Sequence, residues 1–248
     1  MAQVNTSPTI FKSSKEYVCW IDIMGTKNTM SESFQKAANF ILKFHSCVID
    51  AVKRGDKVTF YPLMDGVFIT CPNSTTIRKV IDAIFYAVAK IFIAEERNGY
   101  RFLIKGSLAY GDIAHGANID DNVCEKLCNE DAYKKSLMCG MPMIQAFTAE
   151  HTAPPFGVYI HESARTPSEL QGKYYVWFGQ NGIDKQLLKE KILSYFNWCK
   201  YFNRYLEMDP SKIELYMQLT EEYFTNRMGK DIDCLLYTSP SPRDRSLS

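Results

Sequence analysis

Two aspartates, Asp22 and Asp65, stand in stretches of sequence that are otherwise apolar. Asp22 follows VCWI, and Asp65 precedes a glycine in YPLMDGVFIT (residues 61–70). An unpaired carboxylate in a buried strand is unfavourable, and two carboxylates that meet repel each other unless a cation lies between them. Mg²⁺ or Mn²⁺ prefers such oxygen ligands and leaves coordination positions for substrate phosphates. The pair therefore indicates a divalent-metal site, although Asp65 taken alone is also an ordinary turn residue.

The segments that must position these aspartates read as strands and helices in alternation. Residues 16–24 form a nearly continuous apolar run, typical of a central strand, and a helix capped by Ser31 or Ser33 and ended by Gly55 follows. KVTFYPLM and VFITC predict a hairpin joined at DG, NSTT begins a second helix, and RFLIKGSLAYG with DIAHGANI predicts another strand pair. The order β-α-β-β-α-β-β predicts an α+β fold with a ferredoxin-like palm core, in which the strand end and the hairpin turn converge.

The chain divides into four parts by composition. Residues 1–15 are polar and predict a flexible N-terminus, residues 16–180 hold the core domain, and residues 181–233 predict a C-terminal helical extension. Residues 234–248, CLLYTSPSPRDRSLS, lose apolar periodicity and resemble the translation of a sequencing adapter. We interpret them as a non-native tail; a natural disordered tail is the alternative.

Bulk composition excludes several classes of function. A formal net charge of +1 gives no basic field for nucleic acid or an anionic membrane. The eight cysteines are scattered and no signal peptide is visible, so we expect a reducing, cytoplasmic setting. CEKLC (Cys124 to Cys128) resembles half a zinc site, but no second ligand pair follows. The best apolar run, residues 80–94, is too short and too charged for a membrane span.

The two aspartates resemble the metal-binding motif of class III nucleotidyl cyclases. DIMGTK and MDGVFI match that motif in spacing and surroundings. IKGSLAYGDIAHG (residues 104–116) is similar to the family pattern R-x-G-I-x-x-G-x-V-x-x-G, with Lys105 at the arginine position and Ser107 at the first glycine position. GMPMIQAFTAE (residues 140–150) resembles the helix that ends the catalytic core. The resemblance covers residues 16 to about 165 and implies that residues 16–180 are a nucleotidyl cyclase catalytic domain.

The resemblance also implies the parts of an active site. Asp22, the carbonyl of Ile23 and Asp65 would hold two Mg²⁺ or Mn²⁺ ions. The backbone that follows would hold the triphosphate with its N–H groups, which belong to Met24, Gly25, Thr26 and Lys27. Family members form head-to-tail homodimers with the sites at the interface.

Within that family, the sequence most resembles the pyrimidine cyclases of bacterial Pycsar anti-phage systems. Tyr61 lies four residues before the hairpin aspartate, Asp65. In class III enzymes the residue at this position recognises the nucleotide base. A bulky ring there would narrow the pocket against purines and offer a hydroxyl to a smaller base. The implied product is cyclic UMP or cyclic CMP, made from UTP or CTP as a second messenger for a separate effector. The alternative for Tyr61 is an ordinary strand aromatic.

The chain also departs from the family pattern. The asparagine and arginine that steady the transition state are replaced by Ile144 and Thr148. Lys105, Lys27 or Arg101 would then supply the positive charge, or the chain is a weakened enzyme; Lys105 could also face solvent. Of the histidines, His45 is expected to be structural, whereas His115 could approach the substrate but has no obvious partner.

Three other functions stay open. The chain could be an adenylate or guanylate cyclase, against which Tyr61 argues. It could be a palm-domain enzyme of another reaction, such as a diguanylate cyclase. It could also be a catalytically silent dimerisation or nucleotide-sensing module, which the missing asparagine–arginine pair favours and the retained aspartates oppose.

Overall fold

The computed structural model describes most of the chain with gaps. The described residues are 11–52, 56–119, 127, 129–168, 170, 172–178, 182–202 and 210–225. Three predictions lie outside them: the helix end at Gly55, the pair Cys124 and Cys128, and the tail after residue 233.

One mixed sheet runs through the described residues, with helices between its strands. The strands are β1 Phe11–Ile23, β2 Thr59–Leu63, β3 Gly66–Cys71, β4 Ile104–Ile119, β5 Met138–Cys139, β6 Val158–Ile160 and β7 Tyr174–Tyr175. The helices are α1 Thr26–Glu32, α2 Phe34–Asp50, α3 Ser74–Ala94, α4 Asp131–Ser136, α5 Met141–Ala149, α6 Glu162–Ser168, α7 Lys185–Tyr201 and α8 Pro210–Thr225. Among these described helices, none is long and apolar enough to cross a membrane.

The strand order β2-β3-β1-β4-β6-β7 places β1 at the centre of the sheet, with β5 pairing beside β4. β1 is antiparallel to both β3 and β4, whereas β6 runs parallel to β4. The first four strands, with α2 and α3 as crossovers, have the β-α-β-β-α-β connection of a ferredoxin-like core. The predicted α+β palm fold is therefore confirmed.

Two element boundaries differ from the prediction. β1 begins at Phe11, so residues 11–15 belong to a strand and not to a loose N-terminus. The expected strand pair over residues 101–119 is one strand, β4. Both differences have one cause, because β1 and β4 pair over almost their whole lengths and keep each other extended: Lys15 lies opposite Asp112, where the sequence suggests a turn.

The two faces of the sheet have different coverings. Alternate residues of β1 point to opposite faces. Tyr17, Cys19, Ile21 and Ile23 join the main core with side chains of α2, α3, α7 and α8. Val18 and Trp20 belong to a smaller cluster on the second face, against α5. Glu16 and Asp22 have the same parity as Val18 and Trp20, so they lie on the second face.

The C-terminal helices α7 and α8 pack into the main core. Leu188, Ile192 and Phe196 of α7 are fully buried in it. Tyr223 connects α8 to β7, because its hydroxyl donates to the carbonyl of Tyr175 (2.7 Å). The Tyr175 hydroxyl in turn connects β7 to α3 by donating to Asp82 Oδ1 (2.7 Å). The helices predicted near residues 184–206 and 211–227 are thus present, and they complete the core.

Candidate active site

Asp22 is the next-to-last residue of β1 and lies on the second face of the sheet. Burial, together with the negative charges of Asp65 and Glu150, raises the pKa of its carboxyl to about 7. A hydrogen bond from the Ile23 backbone and the charge of Lys105 act in the opposite direction. The buried Oδ1 has no hydrogen-bond partner among the described residues. A carboxylate with a buried, unpaired oxygen near two other acids favours a cation as its partner.

Asp65 lies in the tight turn between β2 and β3. Leu63 pairs with Gly66, so the turn consists of Met64 and Asp65 and not of the predicted Asp65–Gly66 pair. Met64 takes the left-handed region, with φ 54°. Gly66 lies against the ring of Trp20, where a Cβ atom would overlap it, so the close approach needs glycine at this position.

His45 of α2 supports the same turn. Its imidazole forms a hydrogen bond with the backbone of Met64, and burial lowers its pKa against the effects of that bond and of Asp65. The structural role expected for His45 is thus the positioning of the turn that carries Asp65.

Lys105 lies opposite Asp22 in the β1–β4 ladder. Its Nζ atom is 3.1 Å from Glu150 Oε1 and 5.5 Å from the ring centre of Tyr216 in α8. Lys105 is buried, with 7% of its surface exposed, so the alternative of a solvent-facing lysine is wrong. The sequence prediction missed Glu150, and the signal for it was the acid that ends GMPMIQAFTAE.

The two other candidate cations lie elsewhere. Arg101 is buried, but its Nε donates to the carbonyl of Glu95 (2.8 Å) and its Nη1 to Asn98 Oδ1 (2.6 Å). These bonds fix the connection between α3 and β4, so Arg101 has a structural role. Lys27 lies exposed in α1. Of the three candidates, Lys105 is the one whose charge acts on Asp22.

The backbone after Asp22 turns sharply into α1. Gly25 has φ 80°, and the Thr26 hydroxyl donates to the carbonyl of Ile23 (3.2 Å). The N–H of Met24 donates to the carbonyl of Leu103 (2.8 Å). Met24 therefore cannot offer its N–H to a triphosphate as predicted, because the sheet already uses it. The predicted backbone donors that remain are Gly25, Thr26 and Lys27.

Tyr61 belongs to a second polar cluster. Its hydroxyl lies 2.5 Å from His115 Nδ1, and His115 Nε2 lies 3.0 Å from Glu16 Oε1. The expectation that His115 lacks a partner is therefore wrong. Burial and the charge of Glu16 raise the pKa of Tyr61. Burial also acts to raise the pKa of Glu16, but the hydrogen bonds from His115 and Ser14 outweigh it, so the pKa of Glu16 is lowered.

The helix α5 carries Ile144 and Thr148 at the positions of the missing asparagine and arginine. Both are exposed, and the Thr148 hydroxyl donates to the carbonyl of Ile144 (2.8 Å). Ser107 donates to the carbonyl of Ala146 and so attaches α5 to β4. These two exposed positions offer no amide or guanidinium group to a transition state.

The donor set fits a divalent cation with few protein ligands. In the described part of the chain, no three or more His, Cys, Asp or Glu side chains group to hold a metal ion. Asp22 and Asp65 with the Ile23 carbonyl form a smaller set of hard oxygen donors, and the unpaired Oδ1 of Asp22 is free for coordination. Mg²⁺ sites that bind a nucleotide commonly have only one or two carboxylates, since phosphates and water complete the shell.

Comparison with known proteins gives the fold. No family model and no curated protein matches the chain. Two structures of a bacterial light-regulated adenylyl cyclase align with TM-scores of 0.52 and 0.51 at 11% and 10% identity. The alignments cover 75% and 74% of this chain but 59% and 57% of those chains, so this chain spans less than two thirds of their length. A dimeric guanylyl cyclase domain of the RhoGC fusion protein from the aquatic fungus Blastocladiella emersonii aligns with a TM-score of 0.47 at 16% identity, over 62% of this chain and 84% of that chain. On the two light-regulated structures, the chain has the α+β fold of nucleotidyl cyclase domains.

Proposed function

We propose that this protein is a pyrimidine nucleotide cyclase, which converts UTP or CTP into 3′,5′-cyclic UMP or CMP and pyrophosphate. The observation that carries the proposal is the half-buried Asp22 carboxylate, whose buried Oδ1 is unpaired, close to Asp65 in a nucleotidyl cyclase fold. A silent module would have no use for two acids whose charges oppose each other, because an apolar pair would be more stable there.

The residues of the site have separate roles in this reaction. Asp22, Asp65 and the Ile23 carbonyl would hold two Mg²⁺ or Mn²⁺ ions, which when bound lower the pKa of the ribose 3′-hydroxyl and offset charge on the leaving group. The 3′-oxygen forms a bond to the α-phosphorus as the bond to pyrophosphate breaks. Lys105 lies next to Asp22 and would stabilise charge that develops on the phosphate oxygens.

Two further contacts would hold the substrate, one from the protein backbone to the triphosphate and one from Tyr61 to the base. The N–H groups of Gly25, Thr26 and Lys27 would bind the triphosphate, at the sharp turn after β1. Tyr61 would contact the base, and its ring fills a place where a purine would need more room. The preference for a pyrimidine, and a role as a second-messenger synthase in cytoplasmic anti-phage defence with a separate effector, rest on the resemblance to Pycsar cyclases.

A homodimer with sites at its interface fits the exposed side chains of α5. Met141, Ile144 and Phe147 have 61%, 49% and 51% of their surfaces exposed and lie on the helix that covers the second face. Such exposed apolar side chains are typical of a surface that another protein chain covers. We propose that a second copy covers them in a head-to-tail dimer.

The direct test is a product assay with four nucleotides. The whole chain is incubated with ATP, GTP, CTP or UTP and Mn²⁺, and products are separated by chromatography. We expect cyclic UMP or cyclic CMP, loss of product in Asp65→Asn, and full activity in Asp112→Asn, which changes an exposed acid of β4.

Other outcomes of this assay would replace the proposal. Cyclic AMP or cyclic GMP would identify a purine cyclase. No product from dimeric, Mn²⁺-bound protein would favour the silent nucleotide-sensing module, which the exposed Ile144 and Thr148 at the transition-state positions support.

A further inference from the structure

Three buried polar side chains form a hydrogen-bonded chain across the second face of the sheet. Tyr61 comes from β2, His115 from β4 and Glu16 from β1, and 8%, 8% and 7% of their surfaces are exposed. The Tyr61 and His115 rings stack with their centres 5.9 Å apart and their planes within 13°. The contacts join residues 54 and 99 positions apart in the sequence, so several strands must be in place to form them. We call these residues the Tyr–His–Glu chain.

Two features determine the directions of the hydrogen bonds in this chain: the charge of the acid and the charge of the imidazole. An ionised carboxylate can only accept, and Glu16 Oε1 accepts from the Ser14 hydroxyl (2.6 Å). The imidazole nitrogen facing it, His115 Nε2 at 3.0 Å, must therefore carry a proton. In a neutral imidazole the other nitrogen, Nδ1, then has none and accepts. Beside a neutral imidazole, the Tyr61 hydroxyl therefore donates to Nδ1 and keeps only its lone pairs for a ligand, whereas an imidazolium would reverse this bond.

We infer that Glu16 and His115 are positioning residues that orient the Tyr61 hydroxyl as a hydrogen-bond acceptor for an N–H group of the substrate's base. This inference rests on the proposed function, because it assigns the base contact of the same site. Uracil offers such a group at N3 and cytosine at its 4-amino group, whereas their carbonyl oxygens would face the tyrosine lone pairs unfavourably. The proposed contact thus identifies the base atom that Tyr61 recognises, which is N3 in uracil and the 4-amino nitrogen in cytosine.

Packing alone does not explain the Tyr–His–Glu chain. Its neighbours on this face are apolar, including Val18, Trp20 and Phe68. Buried polar groups must be fully paired to avoid a desolvation penalty, and apolar side chains of similar size would fill the space without that requirement. Apolar residues in place of Glu16 and His115 could not determine whether the Tyr61 hydroxyl donates or accepts a hydrogen bond.

The first test determines the direction of the hydrogen bond between Tyr61 and His115, and it does not require catalytic activity. The whole chain is labelled with ¹⁵N-histidine, and the protonation of each ring nitrogen is read from long-range ¹H–¹⁵N spectra at pH 7.5. The chain has four histidines, so the His115→Gln spectrum assigns the signal. We expect a neutral His115 with the proton on Nε2, unchanged in Tyr61→Phe and lost in Glu16→Leu. A proton on Nδ1, alone or in an imidazolium ion, would overturn the inference.

The second test measures whether Tyr61 recognises the N–H group of the base. The preferred pyrimidine triphosphate is compared with its N-methylated form, N3-methyl-UTP or N4,N4-dimethyl-CTP, and with a 5-methyl control. Wild-type protein should reject the N-methylated form, and Tyr61→Phe should lower kcat/KM for the natural substrate about tenfold, mainly through KM, and remove the discrimination. Glu16→Leu should do the same.

The two tests separate this inference from the proposed function. If Glu16→Leu and Tyr61→Phe lower activity but leave the discrimination intact, the Tyr–His–Glu chain is structural and the inference fails. If Glu16→Leu does not fold, Tyr61→Phe alone still decides. If wild-type protein forms no cyclic pyrimidine, the proposed function fails, while the tautomer of His115 still shows whether the hydroxyl is an acceptor.

Discussion

Replacing Asp22 by asparagine should make the metal-free protein more stable at neutral and alkaline pH. Burial and neighbouring acids raise the pKa of Asp22 from its usual 3.8 to about 7. The folded state therefore binds this proton more tightly than the unfolded state does. Stability from the protonated carboxyl is fully present below about pH 4 and is lost as pH rises through about 7. Asparagine has nearly the same shape and no charge, so it avoids that loss.

The magnitude follows from the difference between the two pKa values. A rise from 3.8 to about 7 corresponds to about 4 kcal/mol at 1.36 kcal/mol for each unit. Water reaches part of the carboxyl and relaxes the site, so about 2 kcal/mol is a better expectation. For a domain of this size, that corresponds to a difference in Tm of about 4–8 °C at pH 8. At pH 4 and below the difference should approach zero, because the carboxyl is then largely protonated in both states.

Thermal unfolding followed by circular dichroism checks this expectation. Wild type, Asp22→Asn and the exposed-site control Asp112→Asn are unfolded in EDTA between pH 4 and pH 8.5. Mn²⁺ is then added, which should raise the Tm of wild type and of the control but not that of Asp22→Asn.

Two results would refute the reasoning. Parallel pH curves for wild type and Asp22→Asn in EDTA would mean that ionising Asp22 has no cost in the folded state. An equal effect of Mn²⁺ on both proteins would place the ion elsewhere.

Three further substitutions follow from single contacts. Glu150→Gln leaves Lys105 without its ion-pair partner and should lower kcat about ten- to a hundredfold, as Lys105→Gln should; unchanged turnover would exclude a positioning role. Gly66→Ala places a methyl group against the ring of Trp20 and should destabilise the protein by about 1–3 kcal/mol, measured by urea unfolding. Burial raises the pKa of Asp82 to about 6, so its stabilising proton is lost as pH rises from about 4 through 6. Asp82→Asn should therefore gain about 1 kcal/mol over wild type at pH 8 and nothing at pH 4, in thermal unfolding across that range.

The sequence predicts the elements around the aspartates well, because each has its own local signal. Ser33 caps α2 and Asn73 caps α3, as their side chains and the apolar periods after them suggest. The joining of residues 101–119 into one strand had no such signal, since glycine and aspartate at 111 and 112 favour a turn. There the ladder with β1 overrides local preference.

The candidate site is predictable only in part, for a similar reason. Asp22 and Asp65 stand out because a carboxylate is unusual in an apolar run. Glu150 and Glu16 do not, since an acid at the end of a helix or at the edge of an apolar run is common. Their importance depends on partners that only the folded sheet brings close, Lys105 for Glu150 and His115 for Glu16.

The spacing of the two polar clusters on β1 bears on how many copies form one site. Glu16 and Asp22 lie on the same face of one strand, six residues apart, which is about 20 Å. That is longer than the reach from a nucleotide's α-phosphate to its base, so Glu16 itself lies too far away to contact a nucleotide bound at Asp22. Tyr61 lies between them, across β3 from Trp20. In a head-to-tail dimer, Tyr61 of one copy can instead lie across from Asp65 of the other.

Mixing two defective variants tests this arrangement. Asp65→Asn and Tyr61→Phe are unfolded together, refolded, and assayed against each variant alone. If each site takes its metal ligands from one copy and Tyr61 from the other, half of the dimers are mixed and one of their two sites is intact. About a quarter of wild-type activity should then return. Activity no higher than the mean of the two variants would mean that one copy supplies both clusters to its own site. In that case the base would bind either at Tyr61 of the same copy or away from Tyr61 altogether, and the second of these would also contradict the role of the Tyr–His–Glu chain.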